Sequence, residues 1–480
     1  MRLTVHRLHA FAFALAAATA PCPATTPPLQ PVDLARLERG VIHSGLATRR
    51  DPTQTFDLYL PSGFDPARRW PLLLVFDPRS RGRMAAEIFV PAAEQWGWIV
   101  ASSNNTLSDG PFEPNLRAVN AMFPDLVERL PVDPRRIYAA GFSGGAILAW
   151  LVGLKTGQLA GVISVGGRPP DNFESEPAKF ALWAEAGLTD FNHDPTRELD
   201  RLGEKGGRPH RLEFFAGTHE WLPGADAARA VAWMELVAMR EKRRDTDLDV
   251  ATRLCAEDAA GAEALLAAGD RLAAWRRFQA VADACGGLTD VTGAERRAAA
   301  LTKDPEVRRA RKDEDGGAAF EKGARRRLAQ VVYALREEVS VPALHRLEGI
   351  LGLPEIRATA ALPGPRGEAA QRALADIRAQ LAFYLTRDLF AAKDWPRAVV
   401  ALELAAQAAP DAASIRYNLA CAQARSGRRS EALASLAKAL DLGLPQPAQM
   451  ATDEDLASLR GDPAFEALLE RARATPAPSP

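Results

Sequence analysis

The 480-residue chain has almost no net charge, only four cysteines and seven histidines, and no long apolar run beyond its first residues. Its 60 Lys and Arg against 61 Asp and Glu leave a net charge of −1, so no overall basic field recruits nucleic acid. Basic clusters at 240–244 and 325–327 have acidic neighbours and read as solvated helix faces. Past the leader no stretch is apolar for long enough to form a membrane helix, which excludes a permanent helical span there. Of the cysteines, Cys255 and Cys285 are placed to meet. They flank a helical hairpin whose turn falls near Gly269-Asp270, midway between them, so antiparallel helices bring them side by side. In an oxidising compartment a disulfide follows; two independent buried thiols are the alternative. Cys421, on an Ala-rich helical face, reads as a packed small hydrophobe.

What is present starts with a leader. Arg2 and Arg7 precede an apolar run from Phe11 to Ala18 and then small residues, the pattern of an export signal over 1–24 cut after Ala20 or Ala24. Cys22 raises a lipoprotein reading, but Pro21 occupies the position where a small residue is expected. The expected location is therefore exported, periplasmic or secreted. The chain is too long for one ordinary domain, and 47% apolar with 25% charged residues is a globular composition.

From 38 to 242, short apolar runs rich in strand formers alternate with helical patterns. Pro71-Leu-Leu-Leu-Val-Phe-Asp77 is apolar throughout, as a strand buried on both faces should be. The alternation predicts an α/β fold: a doubly wound, mainly parallel sheet whose ligands bind at the carboxyl ends of the strands. Past about 244 the strand formers thin out and Ala, Leu, Arg and Glu recur at helical spacing, over 249–358 and 369–472. Ala398, Leu402 and Ala405 return as Ala432, Leu436 and Ala439, 34 residues later, and Phe383 and Leu385 return as Tyr417 and Leu419. This resembles tetratricopeptide repeats, with small residues where helices cross and large ones between repeats; a plain helical bundle is the alternative. Residues 304–323 are charged and non-periodic and read as a loop or mobile helix, 359–368 as a Pro/Gly linker and 473–480 as a disordered tail.

The stretch that carries chemistry is Ile137-Tyr-Ala-Ala-Gly-Phe-Ser-Gly-Gly-Ala146: strand, tight turn, helix, with Ser143 at the tip. Gly141 and Gly145 stand two residues either side of the serine, where side chains would clash as strand and helix close on each other. The Gly144 N–H opens the helix and points at developing negative charge. A Gly-Ser turn that merely starts a helix is the other reading of the motif alone. A serine nucleophile needs an imidazole to take its proton. His6 and His9 are in the leader, His43 precedes the core sheet, His210 enters a strand at the wrong edge and His345 belongs to the helical half. His219 directly follows the last strand, at the same sheet edge as Ser143; His193 is the second choice. Asp190 follows the intervening strand and is the expected orienting acid, with Asp194 as runner-up. Ser, Asp, His in that order, each after a strand end, is a much stronger signal than the serine motif alone.

On these residues, 38–242 resembles the α/β-hydrolase superfamily. The segment from Val132 to Gly145 resembles the nucleophile region of polyhydroxybutyrate-depolymerase-like and feruloyl-esterase-like enzymes. Gly217-Thr-His-Glu-Trp221 resembles the histidine segment of esterase-D and enterochelin-esterase-like proteins. The resemblance implies that Ser143 attacks an acyl carbonyl, His219 serves as base then acid, Asp190 orients it and Gly144 is an oxyanion donor, without metal or cofactor. Those families carry a His-Gly pair for the second oxyanion donor, where this chain has Phe76-Asp-Pro-Arg-Ser-Arg-Gly82. Pro78 has no N–H, so the donor falls to Arg79 or nearby, or Asp77 serves another purpose. Arg79 and Arg81 either meet an anionic substrate or cap the sheet edge as solvated charges, and the polar run 102–106 either lines the site or forms a turn. The expected activity is hydrolysis of a small or polymeric carboxylic ester. A prolyl-oligopeptidase-like peptidase with the same triad, and a scaffold that binds a protein partner through its repeats with an inert hydrolase half, are the alternatives. The helical half is expected to be dispensable for chemistry.

Overall fold

The computed structural model describes residues 33–170, 173 and 176–474. The expected export signal with Cys22, and 475–480 of the expected tail, lie outside the described residues. Eight strands form one sheet: β1 (Ile42–Ala47), β2 (Thr55–Tyr59), β3 (Trp70–Phe76), β4 (Ile99–Ser103), β5 (Val132–Phe142), β6 (Gly161–Val165), β7 (Ala181–Gly187) and β8 (His210–Phe215). Their order is β1-β2-β4-β3-β5-β6-β7-β8, antiparallel at β1–β2 and β2–β4 and parallel from β4 to β8. Alternation along β3 divides its apolar residues between two cores, as the pleat requires. Leu73 and Val75 pack with α1 (Gly82–Trp96) and α5 (Gly224–Arg240). Leu72 and Leu74 pack on the other face with α2 (Glu113–Arg129), α3 (Gly144–Thr156) and α4 (His193–Lys205). All seven residues of β3 are buried, as its unbroken apolar run predicts. This is the doubly wound, mainly parallel sheet expected from the alternation of strands and helices.

An all-helical region follows. α6 (Leu248–Ala267) and α7 (Arg271–Cys285) form the expected hairpin, and Cys255 and Cys285 are joined by a disulfide with Cα atoms 6.0 Å apart. Both cysteines belong to the core that α5 shares with the sheet, so the hairpin continues the first half rather than standing apart from it. The bond spans 30 residues, and a cross-link of that span stabilises by about 3–4 kcal/mol through restriction of the unfolded chain. Cys255→Ser is expected to lose that amount in urea unfolding, and reductant should reproduce the loss in the parent protein.

After α8 (Thr292–Thr302), the charged stretch 304–323 forms the N-cap and first part of α9 (Pro305–Glu337), a single 33-residue helix. Its start is well specified: Asp304 caps the N–H groups of Glu306 and Val307, and Pro305 stands in the first turn. Its charges have partners at a distance, Glu314 pairing with Arg276 and Arg197. α10 (Leu344–Leu351) and α11 (Leu353–Ala360) lead to α12 (Pro365–Arg378), which passes through a π-helical turn, Ala379–Leu385, into α13 (Thr386–Ala391). The region ends with α14 (Trp395–Ala408), α15 (Ala413–Arg425), α16 (Arg429–Asp441) and α17 (Pro463–Ala474). The recurring positions Ala398, Leu402, Ala405, Ala432, Leu436 and Ala439 are all fully buried. No described helix is long and apolar enough to cross a membrane.

One buried acid in the sheet ties stability to pH. Glu185 on β7 is enclosed, and one oxygen accepts the Trp183 indole N–H at 2.7 Å. Burial pushes its carboxyl up to about 8 from an ordinary 4.5. Between those values the folded protein keeps a proton that the unfolded chain releases, so stability falls as pH rises through this window. Glu185→Gln is expected to flatten the curve of unfolding free energy between about pH 5 and 8.

Candidate functional site

β5 ends at Phe142 and α3 begins at Gly144, leaving Ser143 alone in the turn at φ 53° and ψ −118°. A non-glycine residue holds such a conformation only when its surroundings impose it. Here the Ser143 N–H donates to Val165 O on β6 at 2.9 Å. A Cβ on Gly145 would stand 1.9 Å from Phe76 O, and one on Gly141 would stand 2.1 Å from Gly145 O. Both glycines are therefore required by close approach of backbone to backbone. The turn brings Ser143 to the carboxyl edge of the sheet and the Gly144 N–H to the first position of α3, where it has no intrahelical partner.

The loops after β7 and β8 meet this turn. His219 Nε2 lies 2.9 Å from Ser143 Oγ, and His219 Nδ1 lies 2.8 Å from Asp190 Oδ1. Asp190 is fully buried, and its Oδ1 also accepts the Asn192 N–H at 2.7 Å. The imidazole is held between the rings of Phe142 and Phe191, at centroid distances of 4.7 and 4.2 Å. Ser143, His219 and Asp190 are thus in one hydrogen-bonded line, able to pass a proton from the hydroxyl to an imidazole steadied by a carboxylate. The second choices lie elsewhere. Asp194 starts α4 and faces Arg325 at 3.8 Å. His193 is buried and stacked on Phe214 at 4.0 Å, where burial and three nearby arginines push its pKa down to about 2.

Asp77 has a role that the sequence leaves open. Its buried carboxylate accepts the N–H groups of Arg79 and Arg81, both ends of the Arg81 guanidinium and the Trp221 indole N–H. Burial disfavours its charge, but Arg81, Trp221 and the two backbone donors outweigh this and hold its carboxyl below the usual range. Asp77 therefore shapes the 77–82 loop and anchors the chain two residues past His219. The expected second donor, the Arg79 N–H, is engaged with Asp77 Oδ1 at 2.8 Å. The polar run 102–106 builds a turn: Asn104 donates to Asp57, Asn105 accepts from Thr55 N and Thr106 donates to Asp77 O.

The helical half closes over this edge and leaves two clefts, of about 990 and 820 Å³, that meet at Ser143. Both contain Ser108, Asp109, Phe191 and Tyr384. The larger also has Leu107, Phe112, Ile147, Leu328, Val332 and Tyr333; the smaller has His219, Arg79, Arg81 and Arg378. The π-helical turn supplies Phe383 and Tyr384, and Thr386 Oγ1 bonds Leu381 O at 2.7 Å beside it. Such turns recur at functional sites because the extra residue redirects side chains. Burial, and then Asp109, push the Tyr384 hydroxyl up to about 12.

Two arginines of the helical half also grip the loop that carries Asp190. Arg372 donates to Leu188 O at 2.9 Å and to Glu321 at 2.8 Å; Arg325 donates to Phe191 O at 3.1 Å. These carbonyls lie on either side of Asp190. Arg372 and Glu321 are 5% and 3% exposed, so the pair is enclosed. The solvated face expected at 325–327 is thus partly turned inward, and the helical half expected to be dispensable walls the site and holds one of its loops. Neither arginine carries a local sequence signal, because each meets a backbone carbonyl of the other half.

No protein-family model and no curated protein sequence matches the chain. Among solved structures it is similar to a ferulic acid esterase, at 14% identity over 41% of this chain and 97% of that one, with a TM-score of 0.33. It is also similar to an esterase of Pyrobaculum calidifontis, at 12% identity over 42% and 87% of the two chains (TM-score 0.35). A third is a fluorophosphonate-binding serine hydrolase of Staphylococcus aureus, at 14% identity over 40% and 98% (TM-score 0.35). These neighbours are esterases and serine hydrolases.

Proposed function

We propose that the chain is an exported serine hydrolase that cleaves a carboxylic ester through an acyl-enzyme intermediate. The observation that carries this reading is the unbroken hydrogen-bonded line Ser143 Oγ, His219, Asp190 at the carboxyl edge of the sheet. Ser143 Oγ attacks the ester carbonyl while its proton passes to His219 Nε2. The buried Asp190 carboxylate fixes the Nδ1–H tautomer and stabilises the imidazolium. The Gly144 N–H receives the charge that develops on the carbonyl oxygen. Collapse breaks the carbon–oxygen bond of the alcohol, which leaves with the proton from His219. Water then repeats the sequence, giving its proton to His219 and releasing the acid and free Ser143. The leader supports export, and the Cys255–Cys285 bond suits an oxidising compartment.

Labelling with a fluorophosphonate probe, with the adduct located by peptide mass mapping, tests this. An adduct on Ser143 that disappears in His219→Ala supports the reading. A folded protein with no adduct on Ser143 refutes it.

A further inference from the structure

We propose that the alcohol released from the ester is anionic, bearing a carboxylate or phosphate that Arg79 and Arg378 bind. This rests on the serine hydrolase reading above. An ester has two halves, and two clefts meet at Ser143. The imidazole that protonates the departing oxygen must lie on the side to which the alcohol goes. His219 lines the smaller cleft and is absent from the lining of the larger one. The smaller cleft therefore takes the alcohol, and the larger takes the acyl group.

The two clefts differ in how their arginines are paired. In the acyl cleft, Arg325 pairs with Asp376, Arg336 and Arg387 pair with Asp388, and Arg168 holds the carbonyl of Pro169. In the alcohol cleft, Arg81 is tied to Asp77, and the two carboxylates of the lining accept from their own neighbours, Glu220 from the Thr218 N–H and Asp109 from the Ser108 hydroxyl. Arg79 and Arg378 are exposed, and among the described residues neither has an ion-pair partner. Arg79 comes from the loop after β3 and Arg378 from the end of α12, so each half of the chain contributes one guanidinium to the cleft that His219 lines. Two such forks at one cleft match the paired oxygens of a carboxylate or phosphate. An anion there also offsets positive charge beside His219 as it becomes imidazolium.

The test uses the full chain and three benzoate esters, of 3-hydroxybenzoate, of 3-hydroxyphenyl phosphate and of the neutral 3-hydroxybenzamide. The reading is kcat/KM of each anionic ester relative to the amide. Intrinsic leaving-group reactivity cancels when these ratios are compared between parent and variants. At least one anionic ester is expected to be favoured about tenfold or more, and which one identifies the anion. Arg378→Gln should lower that ratio about tenfold, Arg79→Gln/Arg378→Gln further, and added salt should lower it in the parent protein. Turnover of all three esters with ratios that neither variant changes overturns the inference and leaves the hydrolase reading standing. No turnover, together with an unlabelled Ser143, overturns both.

Discussion

Ser143→Ala is expected to lower kcat for ester hydrolysis by about 10⁴–10⁶-fold, with the folded structure retained. The size follows from what the hydroxyl does. In the proposed mechanism it is the atom that forms the acyl bond, and His219 Nε2 has no other group to deprotonate in line with Asp190. Removing His219 in addition should add little, because the two act as a unit and their effects do not sum. Backbone strain is unchanged, since alanine has the same steric demand at φ 53°. Steady-state turnover of a short acyl ester, with near-ultraviolet circular dichroism to verify the fold, measures the effect. Turnover equal to that of the parent would contradict the proposed nucleophile.

Arg372→Met should cost about 3–5 kcal/mol of stability, the penalty for leaving one member of an enclosed ion pair alone. Glu321 would remain buried without its main cation. Its carboxyl already lies above its ordinary value, because burial outweighs Arg372 and Arg325, and loss of Arg372 would raise it further. The isolated carboxyl is then neutral at low pH and ionised only at higher pH, where its burial is most unfavourable. The deficit is accordingly expected to be greater at pH 8 than at pH 5, in urea unfolding at the two values. Glu321→Gln in the same protein should recover part of it. Turnover should fall as well, because Leu188 O loses the donor that steadies the loop of Asp190. A variant as stable and active as the parent would show that the grip is incidental.

The sheet half was legible because its signals are local. Each strand is a short apolar run, and Ser143, Asp190 and His219 directly follow strands that end at one edge. Period, order and the edge rule therefore place them without knowledge of any distant partner. Where the determining contact crosses between halves, that reasoning stops. The stretch 304–323 reads as a loop or mobile helix because it has no apolar period and Glu314 finds its partners, Arg276 and Arg197, on other elements. Arg325 and Arg372 look like ordinary solvated arginines because their acceptors are main-chain carbonyls, which every sequence has. The π-helical turn has no compositional mark at all. Pro78 reveals a missing N–H, but only the folded structure shows that Asp77 captures the next one.

The grip on the Asp190 loop has a temporal consequence. Leu188 and Phe191 are bonded by residues 184 and 134 positions further along the chain. A growing polypeptide emerges with its serine, aspartate and histidine already made, yet the wall over them and the two arginines that hold their loop are still to be synthesised. Contacts of such separation are formed late. On the proposed function, competence to hydrolyse is therefore among the last properties the chain acquires, and a product terminated before Arg372 carries the proposed serine, histidine and aspartate without the arginine that grips Leu188 O.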